Sequence, residues 1–411
     1  MIESPKPEGV LAARAAVIAA IDAAADELVS LSKFIHANPE IAMQEVKASG
    51  ACAAFMEDRG FTVERGVAAL PTAFRAVIGD ATPRIAFLAE YDALPGLGHG
   101  CGHNLIAIAG IGAGVGLAAA LPHLGGTGSV AVFGTPAEEA IGGKVFMADA
   151  GLFADVDVAM GAHPGTNEAT CPTVEGSGQS LACQGIRIIF HGKSAHAAAD
   201  PYNGVNALNA LIETFNGINA LRQHVKTDAR IHGIITHGGS APNVVPDFAA
   251  GDFLVRAQTR AYLTQLVAQV RRIAEGAALI TGAQLDFQFP EPANHDMITN
   301  HVLAGGIKRN MDEVGLRLPE ARPEPSSGST DWGNVSYLVP SVETGYPILD
   351  RLCTWHSPDV VAAADSQFGY VNTVLVAKSL ALTGVDVLTD PDLLRAIKDE
   401  FTQSVTARTG R

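Results

Sequence analysis

Short runs rich in β-branched residues alternate with helical stretches along most of the chain, and this alternation limits the fold more than any other feature. Residues from about Leu11 to His36 carry apolar side chains at helical spacing until IHANPEIAMQE breaks the pattern at Asn38 and Pro39. Apolar runs follow at 73–79 (AFRAVIG) and 84–96 (RIAFLAEYDALPG), then an Ala/Ile/Gly helix from Asn104 to Leu121 and a further run at 128–140 (GSVAVFGTPAEEA). The pattern predicts an α/β fold, a sheet largely buried between helices.

From about Leu181 the texture changes. The order is strand IRIIFHG, helix from about Gly204 to Gln223, strands ARIHGIITHG and FAAGDFLVRAQT, helix from about Leu263 to Ile280, strand AQLDFQF. That βαββαβ order commonly forms a ferredoxin-like, four-stranded antiparallel sheet with two helices on one face. Beyond it, SSGSTDWGNVSYLVPSVETG leads to a last helix from about Ser366 to Leu382, and apolar runs at Val335 to Val339 and after it are placed to rejoin the first sheet. The chain reads as a discontinuous main domain, residues 1–182 and 299–411, with a satellite inserted at 183–298.

With 411 residues, 47% apolar and 17% charged, the chain has enough apolar mass for two cores. A formal charge of −15 without any Lys/Arg cluster argues against a nucleic-acid or anionic-membrane partner. The start MIESPKPEG lacks the features of a secretory leader, and no uninterrupted apolar run of about 18 residues is evident. The five cysteines, Cys52, Cys101, Cys171, Cys183 and Cys353, are an odd number spread over a long chain, which suits a reducing compartment. The expectation is a cytoplasmic protein.

Chemistry concentrates in AEYDALPGLGHGCGHN, where Asp92, His99, Cys101 and His103 occupy a Gly-rich stretch after an apolar strand. Thiolate and imidazole are ligands for Zn, Mn, Co or Ni ions, and the glycines let the backbone bend so that side chains converge. Taken alone, the same residues also fit a satisfied thiol and a surface imidazole. In GTPAEEA, Glu138 and Glu139 follow an apolar run; at a strand end they would point opposite ways, one free to bind metal and the other to take a proton from water, although an isolated pair also fits a solvated turn. GAHPG and CTWHSPD add His163 and His356. Cys101, His103, Glu139, His163 and His356 thus make five potential ligands at the ends of apolar segments of the main domain, none of them expected within a helix.

These motifs resemble the M20 metallopeptidases, in particular the amidohydrolase branch and its p-aminobenzoyl-glutamate hydrolase and dipeptidase-like subgroup. The likeness runs from IHANPEIAMQE through EYDALPGLGHGCGHN, GTPAEE, GAHPG, FHGKSAHAA and APNVVPD to STDWGNVSYLVPS and WHSPD. It implies two divalent ions, Mn2+ or Zn2+ with Co2+ or Ni2+ as alternatives, held by Cys101, His103, Glu139, His163 and His356, with the Cys101 thiolate bridging. It implies Glu138 as general base, Asp92 as the residue orienting a ligand imidazole, and His196 as a group reaching the oxyanion of a neighbouring subunit, so that a homodimer or higher homo-oligomer is expected. Asn243 and Arg256 match positions that meet the carbonyl or carboxylate end of a small-molecule substrate. Glu90 with Tyr91, Asn104 and the segment around Asp331 depart from the commoner pattern and bear on acyl-side specificity.

The implied reaction is hydrolysis of an amide in an N-acyl or N-aroyl amino acid or small dipeptide. The alternatives are a metal-dependent deaminase or amidine hydrolase releasing ammonia, a binding protein on the same fold, and a Cys101/His103 nucleophilic hydrolase. The last leaves the acids and the other histidines without a purpose.

Overall fold

The computed structural model describes residues 7–323 and 328–409. The first six residues, read above for a leader, and 324–327, which include the start of SSGSTDW, lie outside them. The strands are β1 (Thr62–Arg65), β2 (Phe74–Ile78), β3 (Arg84–Glu90), β4 (Ser129–Thr135), β5 (Val158–Gly165), β6 (Ala182–His191), β7 (Arg230–His237), β8 (Phe248–Ala257), β9 (Gln284–Gln288) and β10 (Ser341–Pro347). The helices are α1 (Pro7–Ala37), α2 (Val46–Glu57), α3 (His103–Ala120), α4 (Gly143–Asp149), α5 (Ala207–Leu221), α6 (Arg260–Thr281), α7 (His301–Glu313), α8 (Trp332–Ser336), α9 (Pro358–Ala363), α10 (Gln367–Thr389) and α11 (Pro391–Thr409). The described residues form two compact units, one of 7–179, 297–323 and 330–409, the other of 180–296 and 328–329.

The first unit is built on a six-stranded sheet ordered β1-β2-β4-β3-β5-β10. Strands β4, β3, β5 and β10 run parallel, and β1 and β2 add an antiparallel edge. The inner strands read as nearly continuous apolar runs because both faces are covered. Side chains alternate across β3: Ile85, Phe87 and Ala89 enter a core shared with α1, α3 and α10, whereas Ala86 and Leu88 enter a second core with Met147, Trp332 and Val335 of α4 and α8. Helix α3 is buried along almost its whole length, and Gly110 permits its approach to the sheet, since a Cβ there would lie 2.4 Å from the Leu88 carbonyl oxygen.

Three sequence expectations change here. The run Val335 to Val339 is not a strand: it begins inside α8, and the chain rejoins the sheet only after Pro340, as β10 beside β5. The chain does not end its helices near Leu382; α10 continues to Thr389 and α11 follows. Asp390 separates the two, its carboxylate accepting the amides of Asp392 and Leu393, with Pro391 opening the new helix. Finally, α3 and α10 are long and apolar enough to cross a membrane by length and composition, but both are largely buried within the unit, packed on each other and, for α3, on the sheet.

The second unit is the four-stranded antiparallel sheet β7-β8-β6-β9, with α5 and α6 on one face. Ile186, Ile188, Phe190, Phe253 and Val255 meet Leu211, Leu266 and Val270 in its core. Asn206 and Thr259 cap α5 and α6 by accepting the amides of Asn209 and Tyr262. The strand β7 lies at an edge and exposes Ile234 and Ile235.

Candidate metal centre

The chain leaves β3 to form α3 and β4 on one side of it, then crosses through α4 to β5 on the other side. The sheet order therefore reverses at β3, and the carboxyl ends of its strands open a crevice of the kind where α/β sheets hold ligands. Asp92 follows β3, Glu138 and Glu139 follow β4, His163 lies near the end of β5, and His356 lies in the loop after β10. The segment Gly98 to His103 leads from the end of β3 into α3, which begins at His103. Gly102 holds φ +80°, and a Cβ on it would come within 2.7 Å of Pro164 Cγ.

The five sequence-predicted ligands converge there. Ligand atoms of Cys101, His103 and His163 lie within 4.8 Å of one another, as do those of Cys101, Glu139 and His356, so Cys101 is common to both groups. Cys101 Sγ is 3.4 Å from His163 Nε2, His356 Nε2 is 3.5 Å from Glu139 Oε1, and His103 Nε2 is 3.6 Å from the same oxygen. Two donors sharing an ion at bond lengths of about 2.1 Å stand roughly 3.4 Å apart in a tetrahedral arrangement. Buried His103 Nε2 and Glu139 Oε1 have no hydrogen-bond partner, and orphaned polar atoms of this kind call for a cation. The donor set fits divalent ions.

Hydrogen bonds set the orientation of the donors. His103 Nδ1 donates to Asp92 Oδ1 at 2.9 Å, and Asp92 Oδ2 accepts the Glu139 amide at 3.0 Å. His163 Nδ1 donates to the Pro164 carbonyl at 2.8 Å, leaving Nε2 toward Cys101. Trp355 Nε1 donates to Cys101 Sγ at 3.2 Å.

Burial would raise the Cys101 thiol, but the His163 and His103 charges override it and hold the group well below the usual thiol range. Burial would lower His163, yet the Cys101 charge carries it up to about 10. Glu139 is pushed up to about 7 by burial and then by Cys101. Protons here sit where cations would, so metal and acid compete for the same atoms.

Two local expectations are corrected. His103 is not outside the helices but is the first residue of α3. Glu138 and Glu139 are not strand residues: they lie in a turn beyond β4, entered through Ala137 at φ 61°. Their separation comes from that turn and from the Asp92 bond to Glu139, not from strand alternation. The Glu138 carboxyl lies within 4.8 Å of Glu90 and of a His103 ring nitrogen, and is held well above its ordinary range by burial and by the charges of Glu90 and Asp331.

His99 does not join the donors. Its Nε2 lies 3.1 Å from the Ile35 carbonyl and its ring stacks on His36, so it pins the glycine loop to the end of α1. Three buried, ion-paired residues were not assigned to the centre from the sequence: Lys144 went unread, and Glu90 and Asp331 were read only as bearing on acyl-side specificity. A signal existed for Glu90, which closes an apolar strand two residues before Asp92.

In the second unit, His196 pairs as a β-bridge with Val244, next to Asn243, and the Asn243 carbonyl accepts the Ala197 amide at 3.0 Å. The His196 Nδ1 accepts the amides of Ala198 and Ala199 at 3.2 and 3.1 Å, which places its proton on an exposed Nε2. Arg256 lies on β8 and donates to Ser329 Oγ at 2.7 Å.

A family model described as a peptidase dimerisation domain matches residues 183–281. Over 93% of its length the chain is 38% identical to the Xaa-Arg dipeptidase of Mus musculus, spanning 90% of that protein. It is 35% identical to the Xaa-Arg dipeptidase of Homo sapiens, over 93% of this chain and 90% of that one. Its fold is similar to that of a dinuclear metal-binding peptidase of the M20 family from Bacillus subtilis, with a TM-score of 0.61 and 21% identity over 86% of this chain and 98% of the other.

Proposed function

The chain belongs to the M20 peptidase family and is an amide-bond hydrolase, and from that premise we propose that it splits small dipeptides or N-acyl or N-aroyl amino acids at a centre of two divalent ions. Cys101, His103, Glu139, His163 and His356 would hold them, with Cys101 shared. The observation that carries this reading is that one thiol belongs to two separate groups of ligand atoms. Bound there, divalent ions polarise the scissile carbonyl and acidify a water.

Glu138 takes the proton of the attacking water and returns it to the leaving amine, as suits a carboxyl beside the donors that ligates neither group containing Cys101. Asp92 fixes the His103 ring so that Nε2 faces the centre. His196, with its proton on Nε2, donates to the oxyanion from a partner subunit, so the working form is a homodimer. Asn243 and Arg256 bind the carbonyl and carboxylate end of the substrate. The site of action is the cytoplasm.

A net charge of −15 favours encounter with cationic over anionic substrates, so dipeptides ending in Arg or Lys rank above aroyl glutamates. The test is a mass-spectrometric screen of dipeptides, N-acyl and N-aroyl amino acids with Mn2+- or Zn2+-loaded protein. The expected result is release of a free amino acid, abolished by chelator and restored by metal. Release of ammonia without an amino acid, or chelator-resistant activity lost to thiol alkylation, would overturn the proposal.

A further inference from the structure

The alternation along β3 that sends Ala86 and Leu88 toward α4 and α8 sends Glu90 the same way. There it meets Lys144 of α4 and Asp331 at the start of α8, and Glu90, Lys144 and Asp331 are all 1% exposed or less. Lys144 Nζ lies 2.8 Å from Glu90 Oε1 and 2.6 Å from Asp331 Oδ1. The Lys144 amide also donates to Asp331 Oδ2, at 2.8 Å. Asp331 thus grips the lysine at both its backbone and its ammonium, leaving the ammonium little freedom to leave Glu90.

The other Glu90 oxygen is 3.5 Å from His103 Nε2; like that nitrogen, neither Glu90 oxygen has a hydrogen-bond partner, the Lys144 contact being an ion pair by distance. That matches the 3.5 Å between His356 Nε2 and Glu139 Oε1, and Glu90, His103 and Glu138 form a third group whose ligand atoms all lie within 4.8 Å. By distance alone, Glu90 is a ligand. A buried carboxylate takes whichever cation is nearest, because an unpaired buried charge is strongly unfavourable. Lys144 is that cation.

We propose that Lys144 is a positioning residue that withholds the Glu90 carboxylate from the metal centre, so that a coordination position stays open for the attacking water. The inference rests on the two-ion reading above. A catalytic ion needs such an open position, whereas a closed donor set makes a structural site.

The test uses full-length protein loaded with Co2+, whose visible absorption weakens as the coordination number rises. Lys144→Met frees Glu90 for the ion nearest His103, so the absorption per protein is expected to fall by up to about half with two ions still bound. The same variant should lose about 100-fold in kcat while KM moves less than about threefold. Adding Glu90→Gln to it should restore the band and recover at least about tenfold in kcat, a coupling that loss of packing would not produce.

Glu90→Gln alone, and Lys144→Arg, should keep the wild-type spectrum, and these two keep the test decisive if Lys144→Met does not fold. A Glu90→Gln spectrum altered toward fewer ligands would show Glu90 already bound and overturn the proposal. So would a Lys144→Met variant with the wild-type band, or a kcat loss that Glu90→Gln does not relieve. Wild-type protein that binds no Co2+ would refute the two-ion reading instead.

Discussion

His103 donates through Nδ1 to Asp92 at 2.9 Å, and this one bond fixes both the tautomer of the ring and the direction of its free nitrogen. Asp92 is itself buried, and its second oxygen takes the Glu139 amide, so a single carboxylate positions one candidate donor at the start of α3 and another in the turn after β4. Asp92→Asn would present an amide N–H2 group to Nδ1 or leave the Glu139 amide without its anion. Metal affinity is expected to fall about 10- to 100-fold. Competition titration against a chromophoric chelator measures it, and unchanged affinity would remove Asp92 from this role.

Glu138→Gln keeps the size and burial of the side chain but not its ability to take a proton. The variant should bind its full complement of metal while kcat falls by about 10^2- to 10^4-fold. Metal analysis on the same sample used for steady-state kinetics separates lost chemistry from lost ions. Wild-type turnover would exclude Glu138 as the base.

Glu45 links the start of α2 to the Glu138 turn. Its carboxylate accepts the Ala137 amide at 2.9 Å and the Thr72 hydroxyl at 2.8 Å, at a residue with no exposed surface. Burial, opposed first by its own backbone amide and then by the Thr72 hydroxyl, pushes its pKa up from 4.5 to about 7. A folded-state value above the unfolded one means that the stabilising contribution is full below pH 4.5 and is lost as pH rises through about 7. Glu45→Gln should flatten the fall in stability between those limits by up to about 3 kcal/mol. Denaturant midpoints measured across that range decide it, and parallel curves for the two proteins would refute it.

Gly102→Ala places a methyl at a positive φ and against Pro164, between Cys101 and His103. Destabilisation of at least about 1 kcal/mol is expected. Because the strain sits between two donors, the melting-temperature deficit should be larger with metal than with chelator. Equal deficits in the two conditions would separate the loop's strain from metal binding.

The order of elements was legible because apolar periodicity is local. Runs such as SVAVFGT and the βαββαβ order from IRIIFHG onward announce themselves within a few residues of each strand. The polar edge strand β1 (TVER) has no such pattern and went unread, as did α11, whose start depends on Asp390 and Pro391. The five residues whose ligand atoms cluster were legible too, as Cys, His and Glu placed after apolar runs, but the roles expected of them came only with the whole set of motifs.

What the chain determined by itself, then, was the α/β class, the βαββαβ run of elements and which Cys, His and Glu side chains follow apolar runs. Tertiary structure alone decided that Cys101 belongs to two donor groups and that His99 belongs to neither. It also decided that Glu90 is answered by Lys144. These are relations between residues separated by 50 or more positions or lying on different loops. They depend on the sheet order that brings β3, β4, β5 and β10 side by side, and no local pattern in a sequence encodes which strand ends will meet.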